Sequence, residues 1–286
     1  MPVVAIINRK GGSGKSTLAT HVAGHLASRG VRVMLGDVDQ QQSSLAWLRR
    51  REAQSLVRPA TVVGWATDAK SVLRPPAGIT HVVLDTPGGL RGLDLARVVM
   101  QADAILIPVC NSSFDRESTV ECHAELMTLP RLSSGRCKIG IVGMRLDART
   151  RAGEQLEQWA TRRGFHYVGG LRETQTYVRC ADQGLTIFDL PQPKLHADLS
   201  QWTSITEWLE SVWRIPARHD PAPAASLRAP PTDTAAGVPR MATVPGSLLP
   251  TRPLGAVDVG RHPGHSPRPS LADRLGGLLG VFKSPP

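Results

Sequence analysis

The stretch Lys10-Gly11-Gly12-Ser13-Gly14-Lys15-Ser16-Thr17 follows directly on an apolar run, Val3-Val4-Ala5-Ile6-Ile7-Asn8. It leads into a segment that carries Leu18, Val22, Ala23 and Leu26 at helical spacing. The apolar run predicts a strand and the spaced residues predict a helix from about Ser16. Glycines between them let successive backbone N–H groups turn inward around an anion, and the positive end of the helix adds to the pull. Strand, glycine loop, Lys-Ser-Thr and helix in that order are the context in which such a loop cradles phosphates. Gly11, Gly12, Ser13, Gly14 and Thr17 then form the cradle for ATP, Lys15 bridges the β- and γ-phosphates, and the Ser16 hydroxyl ligates Mg²⁺.

Outward from this loop, short apolar runs bounded by Gly, Asp or Pro alternate with longer segments of helical period. The expected strands are Val3–Asn8, Arg32–Leu35, Thr61–Val63, His81–Asp85, Ala104–Val109, Lys138–Met144 and Phe165–Val168, each followed by a helix. Helices are expected near residues 42–53, 92–100, 115–129, 151–163, 174–184 and 196–214. Such alternation predicts an α/β three-layer sandwich, a mostly parallel twisted sheet flanked by helices. Of the 23 prolines, 14 lie from Pro216 onward, among Ala, Arg, Gly and Ser with few large apolar residues. Such a stretch buries too little surface to offset its chain entropy. We therefore read residues 1–215 as one folded domain, 216–269 as a disordered linker and 270–283 as a short amphipathic docking helix.

Two further motifs carry carboxylates. Gly36-Asp37-Val38-Asp39-Gln40-Gln41-Gln42 follows the second strand, and His81-Val82-Val83-Leu84-Asp85-Thr86-Pro87-Gly88-Gly89 is an apolar strand ending in aspartate and a glycine pair. A DxD after a strand by itself is equally a turn; beside a phosphate cradle its carboxylates stand where water and Mg²⁺ belong. Asp85 in this pattern holds Mg²⁺ through water, and Gly88 and Gly89 form a backbone able to move when the γ-phosphate leaves.

With Lys10 ahead of the loop, the KGGxGK[ST]T-like motif resembles the deviant Walker-A P-loop ATPases of the ParA/MinD family. The resemblance spans roughly residues 1–210. It implies that Lys10 reaches across a nucleotide-sandwiched homodimer to the partner's phosphates, that Asp39 orients the attacking water and that Asp37 supports the metal shell. Gln40 stands where many relatives carry proline. Ile107-Pro108-Val109 followed by Asp115 resembles the family's strand and loop after the switch, and the segment from Met144 and Arg145 to Thr150 resembles its adenine-pocket lining.

The formal net charge is +10, with Arg prominent among the basic residues, which favours a polyanionic partner. By resemblance, Arg149, Arg151, Arg162, Arg163, Arg172 and Arg179, together with Arg145, lie in the part that presents basic residues to nucleoid DNA without sequence preference. The alternative for the cluster is a solvated helical face with Glu154 and Glu157 as partners. Cys110, Cys122, Cys137 and Cys180 show no CxxC spacing, and we read them as reduced cytosolic thiols. The N-terminal run reads as a strand and not a signal peptide, and no apolar run approaches the ~20 residues that span a bilayer.

The resemblance implies a slow ATPase stimulated by an adaptor protein, cytoplasmic and nucleoid-associated, that positions or partitions a cargo. An alternative is a MinD-like membrane-associated ATPase, for which Leu271, Leu275, Leu278 and Phe282 form a helical stripe; the same stripe fits a partner's groove or an inert tail. Two other classes are an iron–sulfur electron carrier of the nitrogenase-iron-protein type, which needs glycine-flanked cysteines absent here, and a dethiobiotin-synthetase-type enzyme with a small acceptor.

Overall fold

The computed structural model describes residues 1–54, 62–70, 74–191 and 195–213. Seven strands, β1 (Val3–Ile6), β2 (Val33–Asp37), β3 (Val62–Ala66), β4 (His81–Asp85), β5 (Ala104–Val109), β6 (Lys138–Leu146) and β7 (Tyr167–Arg172), form one sheet in the order β3-β2-β4-β1-β5-β6-β7. Every pairing is parallel. The chain runs outward from β1 to β2 and β3, returns to β4 beside β1, and crosses to β5 on the other side of β1. That reversal places the carboxyl end of β1 at the crevice where open α/β sheets bind ligands.

The strands β1, β4 and β5 are buried along their whole length, because helices cover both faces of a parallel sheet. Side-chain alternation sorts them. Val4, Ile6 and Leu106 pack with Leu18, Val22 and Leu26 of α1 (Lys15–Ser28) and with Trp47 of α2 (Ser43–Glu52). Val3, Ala5, Ile7 and Ile105 pack on the other face with Leu95, Val98 and Val99 of α3 (Gly92–Gln101) and Leu126 of α4 (Ser113–Met127). The remaining helices are α5 (Pro130–Ser133), α6 (Ala152–Arg162), α7 (Gln175–Gln183) and α8 (His196–Trp213).

The expected α/β sandwich is therefore present, with differences of detail. Sequence reading did not list α5, which begins with Pro at its first turn, nor the 3-10 turn Ile187–Asp189, closed by a capping box on Thr186. It also expected a helix after every strand; among the described residues none lies between β3 and β4. Strand β7 runs beyond the expected end at Val168 because Gly169 and Gly170 are ladder positions and not a turn. A Cβ on Gly169, at φ +154°, would lie 2.6 Å from Ser204 Oγ of α8, so glycine is what lets α8 lie close on the strand. The proposed linker and docking helix, residues 216–269 and 270–283, lie outside the described residues. No helix among those described is long and apolar enough to cross a membrane.

Candidate functional site: a lysine-flanked phosphate cradle

The loop between β1 and α1 is closed by its own lysines. Gly12 and Gly14 take positive φ of 74° and 95°, and Gly14 is the residue from which α1 starts. A Cβ on Gly14 would meet Met144 Cε at 2.8 Å, so the turn is packed as well as left-handed. Lys15 is buried and its Nζ donates to the Lys10 carbonyl at 3.0 Å, across the mouth of the cradle. Burial pushes the Lys15 pKa down, against the opposing pull of Asp85 and Asp39. Ser13 Oγ is buried with no hydrogen-bond partner.

The carboxylates of the two strand-end motifs come together through strand register. Asp37 pairs with Asp85 across β2 and β4, and Ile6 pairs with Asp85 across β1 and β4. Asp37 accepts from the backbone N–H of Asp39 and of Leu45, both at 3.1 Å, which ties it to the start of α2. Burial nevertheless pushes its pKa up. Asp39 is half-buried and accepts from Gln41 N–H at 3.0 Å. Asp85 is fully buried; Ser44 Oγ donates to its Oδ2 at 2.5 Å, whereas its Oδ1 has no partner. Burial raises the Asp85 pKa to about 6, against the bonded Ser44 hydroxyl and the nearby Ser16 hydroxyl, both of which lower it.

An orphaned carboxylate oxygen in a buried pocket, with the Ser16 hydroxyl and the Lys15 ammonium near it, is a donor set that a hard divalent cation fits. No cluster of three or more His, Cys, Asp or Glu side chains suited to a metal occurs among the described residues. A cation here would accordingly take most of its ligands from phosphate and water, as Mg²⁺ does.

Gly88 lies against the cradle: a Cβ on it would stand 3.3 Å from Gly11 Cα and N. Thr86 Oγ1 donates to the Ile6 carbonyl at 2.7 Å and fixes the start of that segment to β1. Further out, Lys10 Nζ lies 2.7 Å from Asp115 Oδ1 in the first turn of α4. Arg9 pairs with Glu121 at 2.9 Å and with Glu125, and Glu125 accepts from Gly92 N–H at 3.0 Å.

Met144 is buried against Gly14, and Arg145 beside it is exposed with a left-handed φ of 52°, an uncommon conformation for a residue with a Cβ. Both lie near the carboxyl end of β6. The six basic residues expected at DNA do not form one patch. Arg149 and Arg151 follow the carboxyl end of β6, whereas Arg162 and Arg163 close α6 before β7 begins, at the opposite end of the sheet. Arg149 chelates Asp147 with two bonds of 3.0 Å, Arg151 lies 3.6 Å from Glu154, and Arg163 sits 6.0 Å from the Trp159 ring. Arg172 is committed to the buried Asp198 at 2.6 and 3.1 Å, and Arg179 is exposed on α7.

Sequence reading missed Ser44, Asn8 and the Arg9–Glu125 pair. Asn8 Nδ2 donates to the Pro108 carbonyl at 2.6 Å while its Oδ1 accepts from Lys10 N–H at 3.1 Å, so it anchors the loop to β5. The spacing Ser112-x-x-Asp115 was a legible helix-start signal, and Ser112 does cap α4. The three cysteines other than Cys110 are buried, Cys122 in α4, Cys137 just before β6 and Cys180 in α7, with their thiol pKa values pushed up by burial.

Residues 4–187 match the model of the CobQ/CobB/MinD/ParA nucleotide binding domain. The chain belongs to this family. The maintenance of carboxysome distribution protein A of Gloeobacter kilaueensis is 30% identical to it over 217 residues, covering 74% of this chain and 95% of that protein. The chromosome-partitioning ATPase Soj of Thermus thermophilus is 29% identical over 184 residues, covering 54% and 73%. Among solved structures, an ATP complex of McdA from Cyanothece superposes with a TM-score of 0.58 at 18% identity, covering 76% of this chain and 98% of that one. MinD of Pyrococcus furiosus superposes at 0.55 with 16% identity, covering 74% and 99%. As a ParA/MinD-type nucleotide-binding domain, the chain shares its fold with proteins that place cellular structures.

Proposed function

We propose that the protein is an ATP-operated dimerisation switch that hydrolyses ATP slowly and positions or partitions a cellular cargo while bound to nucleoid DNA. The observation that carries the reading is the cradle itself: a buried Lys15, a second lysine at Lys10 on its rim, and a buried Asp85 with one free oxygen. Gly11, Gly12, Ser13, Gly14 and Thr17 would wrap the phosphates, Lys15 would bridge them, and Ser16 and Asp85 would hold Mg²⁺ with Asp37 behind them. When bound, Mg²⁺ supplies charge neutralisation at the β- and γ-phosphates. Asp39, half-buried at the rim, would accept a hydrogen bond from the attacking water, and Met144 and Arg145 would line the base.

Pairing through this pole is supported by the side chains around it. Leu93 at the start of α3 is 75% exposed and Phe114 at the start of α4 is 74% exposed. Both follow the carboxyl ends of β4 and β5, the strands on either side of β1, and large apolar groups left in water there fit a face that a second copy covers. Each Lys10 would then complete the other subunit's phosphate site. For DNA, the net charge of +10 and the exposed Arg149, Arg151 and Arg179 support non-specific phosphate contacts, whereas Arg162 and Arg163 lie at the opposite end of the sheet and Arg172 is held by Asp198.

The test is the mass of the protein in solution with and without Mg-ATP. Asp39→Ala should accumulate as a dimer with ATP, and Lys10→Ala should remain monomeric; a Lys10→Ala chain that pairs like the native one would overturn the reading. DNA binding of the dimer should fall steeply with salt and show no preference among sequences.

A further inference from the structure

We propose that Asp115 is a latch for Lys10, holding it within its own subunit until nucleotide phosphates draw it to a partner; this rests on the dimerisation reading above. Lys10 Nζ lies 2.7 Å from Asp115 Oδ1, and the Asp115 side chain is 9% exposed against 39% for Lys10. The ammonium therefore leans inward onto a carboxylate built into α4. Without that contact three positive groups would face one another at an empty cradle: Lys10, Lys15 and the amino end of α1.

The geometry lets this contact open without disturbing its neighbours. The Lys10 backbone is held at both ends, its N–H by Asn8 Oδ1 at 3.1 Å and its carbonyl by Lys15 Nζ at 3.0 Å. The side chain can swing while the loop stays in place. Asp115 also keeps partners after release. Its Oδ2 accepts from Ser112 Oγ, its own N–H donates to that hydroxyl at 3.1 Å, and it sits in the first turn of α4, where the helix dipole favours negative charge. A carboxylate so placed need not be left buried and unsatisfied when the lysine departs.

The contact then sets a threshold. A ligand shifts an equilibrium only by its differential affinity for the two states, so ATP must offer Lys10 more in the dimer than Asp115 offers in the monomer. Removing the carboxylate's charge lowers that threshold. Hydrolysis, which removes the phosphate that outcompeted Asp115, returns the lysine to it and favours separation.

Asp115→Asn keeps the size of the side chain and its reach to Ser112. It should dimerise at an ATP concentration about fivefold lower than the native chain, the scale of a partly exposed ion pair. The affinity of the monomer for Mg-ATP should stay unchanged. A residue that merely capped α4 would instead weaken binding and pairing together. A second measurement uses the unaltered protein: a zero-length carbodiimide cross-link between Lys10 and Asp115, read by mass spectrometry, should form without nucleotide and fade with saturating Mg-ATP. A native or higher ATP requirement in Asp115→Asn, or a cross-link that is missing without nucleotide or undiminished with it, overturns the latch. Lys10→Ala separates the two ideas, since only the failure of the dimerisation reading lets that variant pair normally.

Discussion

At the scale of single residues, Asp85 and Ser44 are a buried, hydrogen-bonded pair at the proposed phosphate site. A carboxyl with no exposure and a pKa near 6 is held against the cost of burial by one hydroxyl and by whatever approaches its second oxygen. Ser44→Ala removes the hydroxyl and leaves both oxygens short of partners. The expected loss is about 1–3 kcal/mol of stability, measured by urea unfolding, with part recovered by adding Mg²⁺ and ATP. Gly14→Ala acts differently: Met144 Cε can give way, but at φ +95° a residue with a Cβ strains the turn, so nucleotide binding should weaken in a calorimetric titration. The glycine and the lysines were legible in the sequence because their roles are local, within eight residues of one another. Ser44 was not, because its partner Asp85 lies 41 residues away and only the β2–β4 register brings them together.

At the scale of elements, α2 connects the Asp37–Asp39 segment to the body of the protein. Arg51 near its end is 4% exposed, chelates Asp189 with two bonds of 2.7 Å and donates to the Gly184 carbonyl at 3.2 Å. These contacts span 138 residues to Asp189 and 133 to Gly184, and no sequence pattern announces them. Arg51→Ala leaves Asp189 buried without its counter-charge, and we expect a cost of about 3–5 kcal/mol in chemical denaturation. Phe114 tests the other side of the site. Phe114→Ser should leave the melting temperature of the nucleotide-free monomer unchanged, because the ring is in water there. It should also raise the ATP concentration needed for pairing in sedimentation experiments. Helix and strand positions were otherwise readable from hydrophobic period; α5 and the Ile187–Asp189 turn are too short to show one, among the described residues no helix lies between β3 and β4, and at Gly169 and Gly170 close packing on α8 overrides the usual meaning of Gly.

For the whole molecule, acid is the informative perturbation. His21 of α1 is buried between Tyr177 and Trp202, its ring stacked 5.6 Å from the indole, with Nδ1 donating to the Thr17 carbonyl at 2.8 Å. Burial lowers its pKa to about 4. The unfolded chain takes up that proton near 6.5 and the folded one does not, so this contribution is complete above 6.5 and lost as the pH falls toward 4. Between pH 7.5 and pH 5 the share of the loss due to His21 should be about 2 kcal/mol, with His25, also lowered to about 4 by burial, adding to the total, and His21→Phe should shrink the difference when unfolding is compared at the two values. The composition that separates residues 1–215 from the proline-rich remainder was legible without a structure, whereas the aromatic nest around His21 depends on α1, α7 and α8 meeting.

One arrangement reaches beyond any single side chain. Asp37 and Asp85 are opposite one another only because β2 and β4 are in step from Val33 and His81 onward. Since successive side chains on a strand point to opposite faces, one extra residue spliced into β2 would turn Asp37 away while the apolar ladder re-formed around it. Such an insertion is expected to leave a folded protein with a silent centre, so the alignment of two neighbouring strands belongs to the proposed chemistry as well as to the scaffold.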